Sequence, residues 1–116
     1  MVTLICSLSR GKGSWGHITR LISDYTWDKI VLITNDWCKQ NFAPTKEVSW
    51  IMINRNMGFD LMKKTVLDGL PSAKEVALNM ISGDGKEHMA TLQAVRDKYN
   101  NTYKLGILTK DGLKYY

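Results

Sequence analysis

Two glycine-rich segments of this chain hold the residue types that a phosphate-binding site needs. The first covers residues 7–14 and reads Ser-Leu-Ser-Arg-Gly-Lys-Gly-Ser, and the second covers residues 82–86 and reads Ser-Gly-Asp-Gly-Lys. Each follows an apolar run and precedes an amphipathic stretch, so each is predicted to be a strand-to-helix turn. Such turns bring backbone N–H groups, a helix N-terminus and here a lysine to one point. This combination favours an anion, above all a phosphate group.

The elements that must position these segments follow from the pattern of apolar residues. The helical period predicts helices over 15–25, 58–70 and 86–99, and a short helix or turn over 37–42 that Pro44 ends. Short, nearly continuous apolar runs predict strands over 2–6, 29–34, 48–53, 75–81 and 103–109. Asp111-Gly112 is a two-residue hairpin sequence, so residues 113–116 are expected to return antiparallel.

This alternation of strands and helices predicts an α/β fold, a Rossmann-like three-layer sandwich. The apolar strands indicate a mainly parallel sheet covered on both faces, and the C-terminal hairpin would add an antiparallel edge. In open α/β sheets, ligands bind beyond the carboxyl ends of the strands where the strand order reverses. That point is expected between the first and fourth strands. The two glycine-rich segments would then face each other and form one site.

Length and composition limit the other possibilities. The chain has 116 residues, enough for one domain spanning 1–116 and too few for two cores. No apolar run approaches the ~20 residues that span a bilayer, and no signal-peptide pattern begins the chain. Cys6 and Cys38 lack the CxxC spacing, so we expect a cytoplasmic protein with reduced thiols. We also expect no membrane contact, no metal and no cofactor. The net charge of +5 favours an anionic partner, although the lysines are scattered as on an ordinary solvated surface.

The first segment also matches a dinucleotide-binding pattern. Gly11-x-Gly13-x-x-Gly16 fits the fingerprint, and Asp36 follows at about the distance expected of an acid that binds ribose. However, four residues separate the strand from the first glycine, and Trp15 stands where close packing is expected. A mononucleotide or dinucleotide site therefore remains an alternative.

The second segment carries a family resemblance. Ile81-Ser82-Gly83-Asp84-Gly85-Lys86, followed by Met89-Ala90-Thr91-Leu92, resembles the TGGTK-type signature of CARF domains. These are Rossmann-like modules that bind cyclic oligoadenylates in CRISPR antiviral signalling. The first segment resembles that family's small polar turn, and the terminal strand pair matches its usual end. The chain departs from the family at Asp84 and Gly85, where a glycine and a threonine are usual, and at Ser9, where glycine is usual.

The resemblance implies a homodimer that holds a cyclic oligoadenylate across its two-fold axis, with no duplex nucleic acid as partner. Some family members cleave the ring without metal, as the ribose 2′-OH attacks its own phosphate. By resemblance, Ser9 and Lys86 are the catalytic candidates of such a ring nuclease. The candidate ligand-binding residues are the other polar, basic and glycine residues of both segments: Ser7, Arg10, Gly11, Lys12, Gly13, Ser14, Ser82, Gly83, Asp84 and Gly85.

Several of these residues also have ordinary explanations. Lys86 is explained as an exposed side chain, although a cation at a helix start opposes the helix dipole. Ser9 and Ser14 suit helix caps. The same chain also suits a non-catalytic module that senses a nucleotide or oligomerises and acts through a partner.

Four further side chains near the segments carry open alternatives. Trp15 and Trp37 suit base stacking, although Trp15 shares the apolar stripe of its helix. His17 and His88 fall in the first turns of two helices, where they would either transfer protons or lie on the surface.

Overall fold

The computed structural model describes all residues from 1 to 116 and contains six strands and four α-helices. The strands are β1 (Val2–Ser7), β2 (Lys29–Thr34), β3 (Ser49–Met52), β4 (Glu75–Asn79), β5 (Tyr103–Thr109) and β6 (Gly112–Tyr115). The helices are α1 (Trp15–Asp24), α2 (Asp36–Asn41), α3 (Phe59–Gly69) and α4 (Gly85–Tyr99), and a single 3₁₀ turn, Lys12–Ser14, leads into α1. None of these helices combines the length and apolarity that crossing a membrane requires.

The strands form one six-stranded sheet in the order β3-β2-β1-β4-β5-β6. The first five are parallel and β6 returns antiparallel along β5, which confirms the predicted α/β class and the C-terminal hairpin. The chain order reverses between β1 and β4, which pair directly with Ile5 opposite Leu78. The switch point is therefore where the sequence placed it, at the carboxyl ends of β1 and β4.

Two apolar layers cover the two faces of the sheet. Alternate residues of β1 point to opposite sides, so that Leu4 and Cys6 join the layer beneath α1 and α2 while Ile5 joins the layer beneath α3 and α4. Cys6 and Cys38 are both buried and form no disulfide. Burial raises the pKa of the Cys6 thiol to about 12, so it remains protonated and packs as a small apolar group.

The element boundaries differ from the predicted ones at a few residues, for local reasons. Strand β4 stops at Asn79 rather than residue 81 because the Asn79 side-chain oxygen accepts the N–H of Ile81 at 3.0 Å and turns the chain. The hairpin loop is Lys110–Asp111, one residue earlier than expected, and Gly112 begins β6 with a φ of +101°.

Candidate functional site

The two glycine-rich segments are in direct contact at their first residues. The buried Ser7 hydroxyl donates to the carbonyl of Ser82, and the Ser9 N–H donates to the Ser82 Oγ at 2.8 Å. These bonds join residues more than seventy positions apart in sequence. The expectation that the turns after β1 and β4 lie side by side is therefore confirmed.

Residues 8 and 9 are also tied to β2. The Leu8 N–H donates to the Ile33 carbonyl at 2.9 Å, and the Thr34 hydroxyl donates to the Leu8 carbonyl at 2.7 Å. The first segment is thus fixed up to Ser9 by bonds on both sides. Past that point it lies open to solvent, since Arg10 through Gly13 are all exposed.

The glycines of the first segment have no steric or conformational role in this structure. A methyl group added at Gly11, Gly13 or Gly16 would meet no atom within 4 Å, and none of the three has a positive φ. Ordinary L residues would therefore fit at these positions. Glycine there leaves the backbone bare toward solvent, which is what the close approach of a ligand requires.

Two basic side chains of the first segment lie on a small aromatic cluster. The Arg10 guanidinium lies 5.1 Å from the centre of the Trp37 ring, and the Lys12 ammonium lies 5.4 Å from it. Trp15 packs against Trp37 with ring centroids 5.9 Å apart, and its indole N–H donates to the Ser9 carbonyl at 2.7 Å. The cluster holds both cations close to the sheet edge.

The second segment is instead a tightly built helix start. The Asp84 carboxylate accepts the Glu87 N–H at 2.8 Å, and the Glu87 carboxylate accepts the Asp84 N–H at 2.9 Å, forming a complete capping box. Gly83 has a φ of +121°, and a Cβ there would lie 2.9 Å from the His88 Nε2. Asp84 and Gly83 therefore already have structural roles, and the positive end of α4 is occupied by its own carboxylates.

His88 completes this frame. Its Nε2 lies 2.9 Å from the Ser82 carbonyl, an acceptor, so the Nε2 carries the proton in this contact. The same carbonyl accepts the Ser7 hydroxyl. His88 thus fixes the turn between β4 and α4 from the helix side, and it does not line the cleft described below.

The Lys86 side chain turns away from the first segment. Its ammonium donates to the carbonyls of Arg55 at 2.9 Å and Met57 at 2.7 Å, both in the connection between β3 and α3. These two bonds explain how a lysine is tolerated at the start of α4 against the helix dipole. The two turns after β1 and β4 meet as expected, but the cation of the second turn is engaged elsewhere.

A polar cleft of about 470 Å³ opens along the carboxyl ends of the strands. Its lining comes from the turns that follow β1, β2, β3 and β4, and consists of Ser9, Arg10, Asn35, Asp36, Trp37, Asn54, Arg55, Asn56, Asp84 and Glu87. Of its three carboxylates, those of Asp84 and Glu87 are engaged in the capping box. The two guanidiniums and the Asp36 carboxylate are the charged groups that the capping box does not engage, and the whole lining holds two guanidiniums against three carboxylates.

Two asparagines of the cleft have their oxygens engaged by the backbone. The Asn35 side-chain oxygen accepts the Cys38 N–H at 2.9 Å and caps α2, and the Asn54 oxygen accepts the Asn56 N–H at 3.0 Å. Each amide is therefore oriented, and its NH₂ is the group left for a ligand. The cleft consequently presents amide and guanidinium donors, which suit phosphate oxygens and ring nitrogens.

Seven of the ten residues that line this cleft lie outside the two glycine-rich segments. Asn54, Arg55 and Asn56 come from the β3–α3 connection, which no motif marks. The signal that would have found them is positional, because they follow a strand at the same edge of the parallel sheet. Asn35, Asp36 and Trp37 follow β2 by the same rule.

The His17 side chain contacts Asn79 at the end of β4 and does not line the cleft. Its Nε2 lies 3.1 Å from the Asn79 Nδ2, whose second hydrogen bond goes to the Gly106 carbonyl at 2.8 Å. The Asn79 oxygen accepts the Ile81 N–H, so the amide cannot flip and the His17 Nε2 acts as acceptor. Burial, together with the charge of Arg20, lowers the pKa of His17 and favours this neutral form.

No protein-family model matches this chain, and no curated protein matches it either. The resemblance to CARF domains therefore stays a prediction from the two segments.

Proposed function

We propose that this protein binds a cyclic oligoadenylate in the cleft at the carboxyl ends of β1 to β4. The observation that carries the proposal is the position of that cleft at the topological switch point, where Ser9 and Arg10 of the first turn and Asp84 of the second turn line it together. Nucleotides bind at this point in open α/β sheets. The signature-like sequence after β4 supports a cyclic oligoadenylate among nucleotide ligands.

The cleft residues match the parts of a ribonucleotide. Arg10 and Arg55 are suited to phosphate oxygens, because guanidiniums bind them with two parallel hydrogen bonds. Asp36 is suited to accept from ribose hydroxyl groups. Trp37 is the aromatic residue of the lining and already carries Arg10 over its ring, and the amide groups of Asn35 and Asn54 offer donors for the ring nitrogens of adenine.

The size of the cleft supports a dimer. A volume of about 470 Å³ is that of a site for one small molecule rather than for a ring of several nucleotides. A ring would therefore need the clefts of two copies. An apolar surface beside the second turn is suited to their contact, since Ile81 is 51% exposed and Met89 is 58% exposed, with Leu105 nearby.

The position of Lys86 favours binding without cleavage. In a 2′-OH attack, cations must stabilise the charge that develops on the phosphorus oxygens. The Lys86 ammonium is engaged by two carbonyls and does not line the cleft. Cleavage would then depend on Ser9 and Arg10, which line it, and remains the second candidate function.

The test is binding of labelled cyclic tetraadenylate in EDTA, followed by gel shift and product analysis. We expect retention at micromolar protein, and a loss of about tenfold or more in affinity for Arg10→Ala, as for a lost hydrogen bond to a charged group. Arg96→Ala is the matched control, because Arg96 is exposed in the last turn of α4. Its affinity should equal that of the wild type.

The other outcomes decide between the alternatives. Neither retention nor cleavage at micromolar protein would overturn the proposal. Cyclic-phosphate products in EDTA would establish the ring nuclease. A thermal-shift response to NAD or a mononucleotide, without one to the cyclic RNA, would instead select a site at Gly11–Gly16. Light scattering with and without the ring tests the dimer.

A further inference from the structure

The connection between β3 and α3, residues 54–58, forms one wall of the cleft, and hydrogen bonds within the loop hold its conformation. The Met57 N–H donates to the Asn54 carbonyl at 3.1 Å, and the Asn56 N–H donates to the Asn54 side-chain oxygen at 3.0 Å. The start of this loop is fixed, because the preceding residue, the buried Ile53, donates its N–H to the Thr34 carbonyl at 2.8 Å. Met57 packs against the core beneath α3 and α4.

The tip of this connection, residues 54–56, is held by the side chain of Lys86. Asn54, Arg55 and Asn56 are all exposed, so the core does not fix them. The Lys86 ammonium donates to the carbonyls on both sides of Asn56, those of Arg55 and Met57. A hydrogen bond from a charged donor is about twice as strong as one between neutral groups. The two bonds from Lys86 therefore tie α4 to the tip of the connection.

This contact lies on the loop that carries one of the two cations of the cleft. Arg10 enters from the turn after β1, and Arg55 enters from the connection that Lys86 holds. The two guanidiniums belong to different elements, so a ligand between them bridges two walls. Lys86 contributes no group to the lining, although it belongs to the signature-like sequence.

We propose that Lys86 is a positioning residue that holds the β3–α3 connection, and that Arg55 is the second cation contacting the ligand phosphate. The proposal rests on the proposed function for its ligand and names the group that binds it. It gives the lysine of the second glycine-rich segment a role through the backbone of another loop.

The first arm of the test needs no ligand. Amide hydrogen exchange of residues 54–58 is measured by mass spectrometry in the wild type, Lys86→Met, Lys86→Arg and Lys98→Met. Lys98 is the matched control, since it is exposed at the other end of α4. We expect faster exchange in Lys86→Met alone, with the wild-type rate restored by arginine, which keeps the donors. Wild-type exchange in Lys86→Met would overturn the positioning role.

The second arm measures affinity for cyclic tetraadenylate in Lys86→Met, Arg55→Ala and the double variant. Arg55 is exposed, so its substitution should leave the fold intact. We expect about a tenfold or greater loss for Arg55→Ala, a smaller loss for Lys86→Met alone, and no further loss when Lys86→Met is added to Arg55→Ala, because the two act through one contact. Wild-type affinity in Lys86→Met alone, or a double-variant loss equal to the product of the single losses, would show that Lys86 does not act through Arg55 and would overturn the proposal.

The two arms separate the possible failures. Faster loop exchange without any binding of cyclic tetraadenylate would support the positioning role, while overturning the proposed function and the role of Arg55 with it. Binding that Arg55→Ala leaves unchanged would overturn the assignment of Arg55 alone.

Discussion

The two glycine-rich turns look alike in sequence but are built differently. In the turn after β4, Gly83 adopts a φ of +121°, Asp84 caps α4, and the Ser82 carbonyl accepts two hydrogen bonds. In the turn after β1, Gly11 and Gly13 are exposed and meet no neighbour. The turn after β4 uses one of its two glycines, Gly83, for its own conformation, whereas the turn after β1 leaves its backbone accessible. Glycine content alone therefore does not identify the side that faces a ligand.

The largest expected difference between the turns is in stability. Gly83→Ala should lower the free energy of unfolding by about 1–3 kcal/mol, because alanine is strained at this φ and its Cβ would crowd His88. Gly13→Ala should leave stability unchanged or raise it by up to about 1 kcal/mol, since the unfolded chain loses freedom. Urea unfolding followed by tryptophan fluorescence measures both. Equal destabilisation of the two variants would show that the turns do not differ in this way.

The hydrogen bonds between the turns give the next effect. Ser82→Ala removes the acceptor of the Ser9 N–H, and the half-buried donor should cost about 1–2 kcal/mol of unfolding free energy. Ser14→Ala is the control in the open turn, because its hydroxyl contacts only the Gly11 carbonyl at the surface, at 3.2 Å. It should change stability by less than about 0.5 kcal/mol. A Ser82 variant as stable as the Ser14 variant would contradict a stabilising role for the hydrogen bond between Ser9 and Ser82.

For ligand affinity, we expect the larger effect from substitutions in the turn after β1 and the smaller effect from those in the turn after β4. A reversed charge in the open turn, as in Arg10→Glu, should weaken binding of cyclic tetraadenylate by about tenfold or more while leaving the fold intact, because Arg10 is exposed and lines the cleft. Thermal unfolding of the free protein provides the control. Wild-type affinity in Arg10→Glu would place the ligand away from this turn.

A smaller effect concerns His17, in the first turn of α1, and the pH dependence of the free energy of unfolding. The folded protein lowers the pKa of His17 below its ordinary value of 6.5, so the unfolded chain takes up this proton first as the pH falls. Stability from His17 is therefore complete above about pH 6.5 and is lost as the pH drops toward the folded pKa.

The measurement is the free energy of unfolding between pH 7 and pH 5 in the wild type and in His17→Gln. The glutamine oxygen can still accept from Asn79 but does not titrate, so the variant should lose less stability over this range. Parallel pH profiles of the two proteins would contradict the assignment of the neutral His17 acceptor.

Most of the fold could be predicted because it depends on short-range patterns. The strands from Lys29 and from Tyr103 begin where the apolar runs begin, and helix α4 starts one residue before its predicted start. The errors fall at ends, as at Asn79, where one side-chain hydrogen bond stops a strand that the apolar pattern would continue. Hydrophobic periodicity does not record such a bond.

The candidate site could be predicted only in part. The meeting of the turns follows from topology, since parallel strands bring all their carboxyl ends to one edge. The wall formed by Asn54, Arg55 and Asn56 has no local sequence pattern, because its role arises from the neighbouring strand. The contact of Lys86 with that wall joins residues about thirty positions apart, and side-chain reach decides it.

By itself, the sequence determined the α/β class, the parallel sheet and the place where the chain order reverses. It could do so because burying alternating faces and continuous apolar runs leaves few arrangements of these elements. Only the tertiary structure decided which of two similar turns is locked and which is open, and to which carbonyls the lysine of the second turn donates. Those outcomes depend on hydrogen bonds between residues distant in the chain, which no local spacing encodes.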